Sequence, residues 1–217
     1  MTINDNINLI KNNIFGDVLL VAVSKTQSIP VMQEAYEAGI RDFGENKVQE
    51  LLDKYESFPD VRWHFIGNLQ KNKVKYLVDK VYLIHSLSSV GLLKEIEKQY
   101  SKRGSKAKVL IEVNIGREDT KGGVFLEDIP NFIEEVEACE YVKVLGLMAI
   151  IPPGDEVSCT YYFKEMKKLW DSLKGNNYKN ITMKYLSMGM SGDYKIALSQ
   201  GSNIIRIGQG IFGKRNR

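Results

Sequence analysis

A chain of 217 residues is long enough to bury a sizeable core and suits one large domain or two small ones. Its hydrophobic fraction of 43% and charged fraction of 26% are those of an ordinary globular protein. With 30 basic and 27 acidic residues the net charge is only +3, which argues against a dedicated nucleic-acid binder, and the longest apolar run, VLLVAV, is far too short to cross a bilayer.

In chain order, Ile3, Ile7, Ile10 and Ile14 come first, at a spacing that predicts an amphipathic helix. That segment lacks the basic-then-apolar layout of a secretory signal, so a cytoplasmic protein without membrane contact is expected. Eight short β-rich runs follow: 18–23, 41–45, 62–66, 81–86, 108–115, 144–150, 184–189 and 203–208. Helical patterns lie between them. Ser28 and Gly39 bracket the first, and Val48, Leu51, Leu52 and Tyr55 stripe the second. Ser88 or Ser89 caps a third, while Ile129, Phe132, Ile133 and Val136 mark a fourth. Tyr162, Met166, Leu169, Trp170 and Leu173 carry a longer one. Cys139 and Cys159 form no metal-binding or disulfide pattern, and the terminal GKRNR reads as a solvated tail.

Strict alternation of strand and helix means a parallel sheet. Eight strands favour a closed (β/α)8 TIM barrel over an open doubly wound sheet, as a single domain spanning 1–217 with the extra N-terminal helix over the barrel floor. The active face of such a barrel lies at the C-terminal strand ends. Those ends supply Ser24 and Lys25, Glu45 and Asn46, His64, His85, Ser187, Arg206 and Gly208.

Lys25, closing VAVSK, reads two ways. A lysine can snorkel at a strand end. It can also be a nucleophile whose pKa has fallen from about 10.4, forming a Schiff base with a carbonyl substrate or with pyridoxal phosphate. In LSMGMSGDY, Ser191 and Gly192 can open a helix and turn N–H groups toward an anion, or form a plain glycine loop with a serine cap. In RIGQGIFG, Gly208 and Gly210 allow close backbone approach. Two such loops after strands seven and eight favour a phosphate site, with Arg206 as a ligand contact. Asn46 either bonds a ligand oxygen or caps the next helix. His64 and His85 read as hydrogen-bonded rim residues, since no third metal ligand has suitable spacing.

VAVSKTQ, FGENKVQE, WHFIGNLQKNK, HSL, VNIGREDTKGG, GLMAI, LSMGMSGDY and RIGQGIFG occur in that order across residues 21–213. This set closely resembles the pyridoxal phosphate homeostasis proteins, a single-domain, alanine-racemase-like family. The resemblance implies a fold-type III barrel with pyridoxal phosphate in imine linkage to Lys25. It implies phosphate contacts from Ser191, Gly192, Gly208 and Gln209, Arg206 facing the pyridine nitrogen, and Asn46 near the phenolic oxygen. Gln209 stands where many members have threonine, and Ser88 where aspartate is common. The implied role is to hold and buffer or deliver the cofactor as a monomer, with transient contact to apoenzymes. The alternatives are a low-activity amino-acid racemase, which would lack the partner domain that works the second face of the substrate, and a cofactor-free lysine aldolase.

Overall fold

In the computed structural model, residues 1–118 and 120–213 are described. Asp119 of VNIGREDTKGG and residues 214–217 of the expected tail lie outside them.

All eight predicted strands form, and they close into a parallel barrel in sequence order. They are β1 (Leu19–Val23), β2 (Asp42–Glu45), β3 (Arg62–Phe65), β4 (Leu83–Leu87), β5 (Ala107–Glu112), β6 (Val142–Met148), β7 (Ile181–Ser187) and β8 (Ile204–Ile207). Closure is made by β8 on β1, from Leu19 opposite Ile204 to Ala22 opposite Ile207. Strands β2, β4 and β8 are buried along their whole length; β8 reads as a nearly continuous apolar run, whereas β2 and β4 bury Asp42, Glu45, His85 and Ser86 among their apolar residues. Outward residues such as Phe43, Trp63 and Phe65 join one large core shared with the helices. A smaller cluster of Val21, Leu83, Leu110, Met148 and Ile204 fills the barrel interior.

The surrounding helices are α1 (Ile3–Lys11), α2 (Ile29–Glu37), α3 (Val48–Tyr55), α4 (Val90–Ser101), α5 (Ile129–Glu137), α6 (Glu156–Lys174), α7 (Tyr194–Ser199) and α8 (Gln209–Phe212). A 3₁₀ turn, Lys71–Tyr76, replaces a helix between β3 and β4. Ser89 caps α4, accepting from the Leu92 N–H at 3.2 Å. Gly39 follows α2 at φ +88°, a conformation that stops a helix cheaply only in glycine.

One expectation is overturned. The N-terminal helix does not cover the barrel floor. It packs in the outer ring, where Asn6 Nδ2 donates to the Ile211 carbonyl at 2.9 Å and Lys11 Nζ to that of Ala38 at 3.3 Å. The reason is length: α8 has only four residues, too few to cover the β8–β1 seam. Buried Ile7 and Ile10 of α1 supply the missing apolar face, while Ile14 lies beyond the helix. Among the described residues no helix is long and apolar enough to cross a membrane.

Candidate functional site

The turn carrying Lys25 is braced from below. Ser24 is buried and its carbonyl accepts from Gln27 N–H at 3.0 Å, forming a tight turn with Lys25 and Thr26 at its corners. Thr26 sits at φ +67°. A β-branched residue is strained there, and such strain clusters at functional sites. The conformation is held by Glu50, whose Oε2 accepts the Thr26 N–H at 2.7 Å. Beneath it, the Glu45 Oε1 accepts from Ser24 Oγ at 2.7 Å and from Lys54 Nζ at 2.8 Å, and Lys54 also reaches the Ser24 carbonyl at 3.0 Å. Burial raises the Glu45 carboxyl, while its bonds to Lys54 and Ser24 pull the other way. The strand-end pattern exposed Lys25 to view. It did not reveal this Glu45–Lys54 support, whose partners are nine residues apart with a turn of chain between them.

Gly208 lies against Val23 at the end of β1, with Val23 Cβ 3.4 Å from where its own Cβ would be. Ser191 reaches the same loop: its Oγ accepts the Gly210 N–H at 3.1 Å, next to exposed Gln209. That bond leaves the Ser191 hydroxyl proton to donate elsewhere. The predicted capping role fails, because Asp193, not Ser191, precedes α7. Asn46 is likewise no cap; Lys47 occupies that position before α3. The Asn46 Oδ1 is buried with no hydrogen-bond partner among the described residues. Its backbone is pressed by the next loop, since a Cβ on Gly67 would come within 2.2 Å of the Asn46 carbonyl oxygen.

Arg206 is 4% exposed and makes no ion pair within 4.0 Å among the described residues. Its Nη1 donates to Ser187 O at 2.9 Å and Ser187 Oγ at 2.6 Å, and its Nη2 to Ala149 O at 2.9 Å. Burial pushes its pKa down to about 10, so it stays protonated at neutral pH. Its direct acceptors are neutral, with Asp193 and Glu112 farther off favouring its charge, and among the described residues two of its five N–H groups remain for a further acceptor.

The arc β7–β8–β1–β2 therefore carries Ser191, Arg206, Gly208, Gln209, Lys25 and Asn46 on consecutive strands. Gly192, next to Ser191, lines a cavity of about 490 Å³ beside Pro152, Cys159 and Met190. Asn46 also borders a cavity of about 420 Å³ with Asn68, Gln70 and Lys73. A further cavity of about 790 Å³ between α4 and α5 holds Ser88 and Asn131 and touches none of the predicted site residues.

His64 and His85 are not rim residues. Both are fully buried inside the barrel, His64 Nδ1 and His85 Nε2 being 2.9 Å apart. Among the described residues no cluster of side chains could hold a metal ion. Burial lowers the pKa of both rings; Asp42 opposes this at His64, while His64 and Arg206 reinforce it at His85. Above about pH 6.5 both rings are neutral whether folded or not. Below it the unfolded chain binds protons that the folded one refuses, so stability falls, by up to about 1.4 kcal/mol per pH unit for each ring. Glu45 and Glu112, raised by burial, take up protons in the folded state first and offset part of this. Urea midpoints are expected to drop from pH 7 to 5; a flat profile would show that proton uptake by the two carboxyls matches what the rings refuse, or that the rings themselves are protonated when folded.

Comparison with known proteins places this geometry. The family described as alanine racemase, N-terminal domain, matches residues 1–216. The pyridoxal phosphate homeostasis protein of Aquifex aeolicus is 46% identical over 202 residues, covering 90% of this chain and 86% of its own. That of Synechocystis is 35% identical over 205 residues, covering 91% and 92%. PipY of Synechococcus elongatus, solved with pyridoxal phosphate bound, superimposes with a TM-score of 0.89 at 29% identity, covering 98% of this chain and all of its own. Alanine racemase of Clostridium difficile shares the fold at a TM-score of 0.77 and 18% identity, this chain spanning 60% of it. An eight-stranded barrel with a braced strand-end lysine, matched over nine-tenths of its length, belongs to the pyridoxal phosphate homeostasis proteins of the alanine racemase N-terminal domain family.

Proposed function

We propose that this chain binds pyridoxal 5′-phosphate as an imine on Lys25 and holds it for intracellular buffering or delivery, without efficient catalysis. The residues fit the group. Lys25 supplies the amine, which condenses with the aldehyde and releases water. Ser191 and the backbone around Gly208 and Gln209 supply donors for the phosphate, with Gly192 at the outer edge of that loop. The orphaned Asn46 Oδ1 can accept from the protonated phenolic oxygen, and its amide N–H can donate to the ionised form. Gln209 offers its backbone N–H where a hydroxyl is missing.

The observation that carries the reading is Arg206. A guanidinium donates and never accepts, so it faces a ring nitrogen that is unprotonated. When bound, pyridoxal phosphate supplies an electron sink, and that sink is weak without a protonated nitrogen. Arg206 thus suits storage, or at most slow racemisation. The relatives' name, pyridoxal phosphate homeostasis protein, agrees with this. PLP-dependent apoenzymes are the recipients such a holder would serve.

Purified protein mixed with pyridoxal phosphate is expected to turn yellow. Borohydride should bleach the visible band and leave the label on Lys25, with negligible interconversion of alanine enantiomers. A colourless protein, a label elsewhere, or brisk racemisation would refute the proposal.

A further inference from the structure

A polar seam crosses a barrel interior whose apolar filling is Val21, Leu83, Leu110, Met148 and Ile204. It starts on the outside at Arg62, whose Nη2 donates to Asp42 Oδ2 at 2.6 Å. Asp42 Oδ1 lies 2.9 Å from His64 Nε2, and His64 Nδ1 lies 2.9 Å from His85 Nε2. His85 Nδ1 lies 3.0 Å from Ser187 Oγ, which accepts from Arg206 Nη1 at 2.6 Å. Asp42, His64, His85, Ser187 and Arg206 are each at most 6% exposed, whereas the Arg62 side chain is 47% exposed. Four strands contribute the buried members, β2, β3, β4 and β7, before β8 receives them at Arg206.

Counting donors fixes the direction of every proton. An ionised carboxylate only accepts, so His64 carries its proton on Nε2 and presents Nδ1 as an acceptor. His85 must then donate from Nε2 and accept at Nδ1. Ser187 donates its hydroxyl proton to that Nδ1 and accepts from the guanidinium. Each bond in the line points from Arg206 toward Asp42, and no member is left unsatisfied. Burial keeps both rings neutral, which this ordering requires. A buried polar line is costly unless complete, and completeness makes its members depend on one another.

We propose that Asp42, His64, His85 and Ser187 form a one-way hydrogen-bond relay that positions the Arg206 guanidinium and couples the barrel mouth to the half-exposed Arg62 that pairs with Asp42 at its base. These four are positioning residues, since none is assigned a contact with ligand. The relay exists in the protein alone; only its effect on a bound ring rests on the function proposed above.

Asp42→Asn tests the direction. Arg62 has donors only and retains the amide oxygen, so the amide N–H₂ turns toward His64. His64 Nε2 then becomes an acceptor, and the reversal passes to His85. Long-range ¹H–¹⁵N spectra of the ligand-free protein, labelled at histidine, read each ring's proton. In the wild type both protons are expected on Nε2; in Asp42→Asn both are expected on Nδ1. A change confined to His64, or none in either ring, overturns the relay. If that variant does not fold, Arg62→Gln alters only the exposed end, and the resonances of both rings are expected to shift together. Movement of His64 alone would again overturn it. With pyridoxal phosphate added, the visible maximum of Asp42→Asn is expected to shift from that of the wild type, and an unshifted maximum overturns the coupling to the mouth. Failure of the wild type to bind pyridoxal phosphate would sink the proposed function while leaving the ligand-free spectra as the judge of the relay.

Discussion

Lys25→Ala is expected to abolish borohydride-fixable labelling and the imine absorbance, while pyridoxal phosphate still binds reversibly. The turn survives because its bonds belong to Ser24, Thr26 and Gln27: Gln27 N–H to Ser24 O at 3.0 Å, Thr26 N–H to Glu50 at 2.7 Å, and Ser24 Oγ to Glu45 at 2.7 Å. The anion-facing groups on the other side do not depend on the amine either, since Ser191 is held by Gly210. Losing the covalent link while keeping the phosphate grip is expected to weaken apparent affinity by about 10- to 100-fold, or roughly 1.4–2.7 kcal/mol. Equilibrium dialysis with and without borohydride separates the two modes. Complete loss of binding in this variant, with its circular dichroism unchanged, would show that Ser191, Gly208 and Gln209 do not hold the phosphate.

Gly146→Ala is expected to be the most damaging single-methyl substitution for stability. Gly146 lies at φ +145°, where the pairing of β6 with β7 shifts between Val144 and Gly146. A Cβ there would stand 1.8 Å from the Tyr185 carbonyl oxygen and 2.7 Å from its carbon. Those are backbone atoms, and the same carbonyl is already tied to Trp170 Nε1 at 3.0 Å. Neither strand can yield without the other. Strain at such a φ adds roughly 1–3 kcal/mol and overpacking another 1–3 kcal/mol. A loss of about 4 kcal/mol lowers Tm by on the order of 10 °C in a protein of this size. The effect reaches the site, because β7 ends at Ser187 and β6 leads directly into Ala149, and both residues hold Arg206. Thermal unfolding of the variant measures this directly; a Tm within two or three degrees of the wild type would mean the β6–β7 pairing can relax around a methyl.

The barrel was legible in the sequence because most strands are short β-rich runs framed by polar loops, and helical stripes separate the runs; β2, DFGE, and β3, RWHF, were the least apolar of them. Lys25 and Arg206 stood out as candidates for a related reason: they are charged residues at the ends of apolar strands, whereas Asn46 follows the half-charged strand DFGE and stood out only by its place at a strand end. The relay did not. His64 and His85 belong to different strands, and whether they meet depends on the stagger of β3 against β4, which no local pattern encodes. Ser191 misled in another way. Serine before glycine is a good helix start, but Met190, Ser191 and Gly192 remain a loop because Asp193 Oδ1 takes the Met190 N–H at 2.6 Å and starts α7 later. The N-terminal helix formed as its isoleucines foretold, yet its location turned on how short α8 is. That length is set by Gly213 at φ +83°, which ends it after one turn.

The pairing of α1 with α8 joins Asn6 to Ile211 across 205 positions of sequence. Bringing together such distant segments carries a loop-closure cost that nearby contacts avoid, and topologies dominated by them form slowly. The final wall of this cylinder is therefore expected to close only when α1 and α8 meet. Until then the β1–β8 join would lie uncovered, and the turns that carry Lys25 and Gly208 would lack the layer behind them.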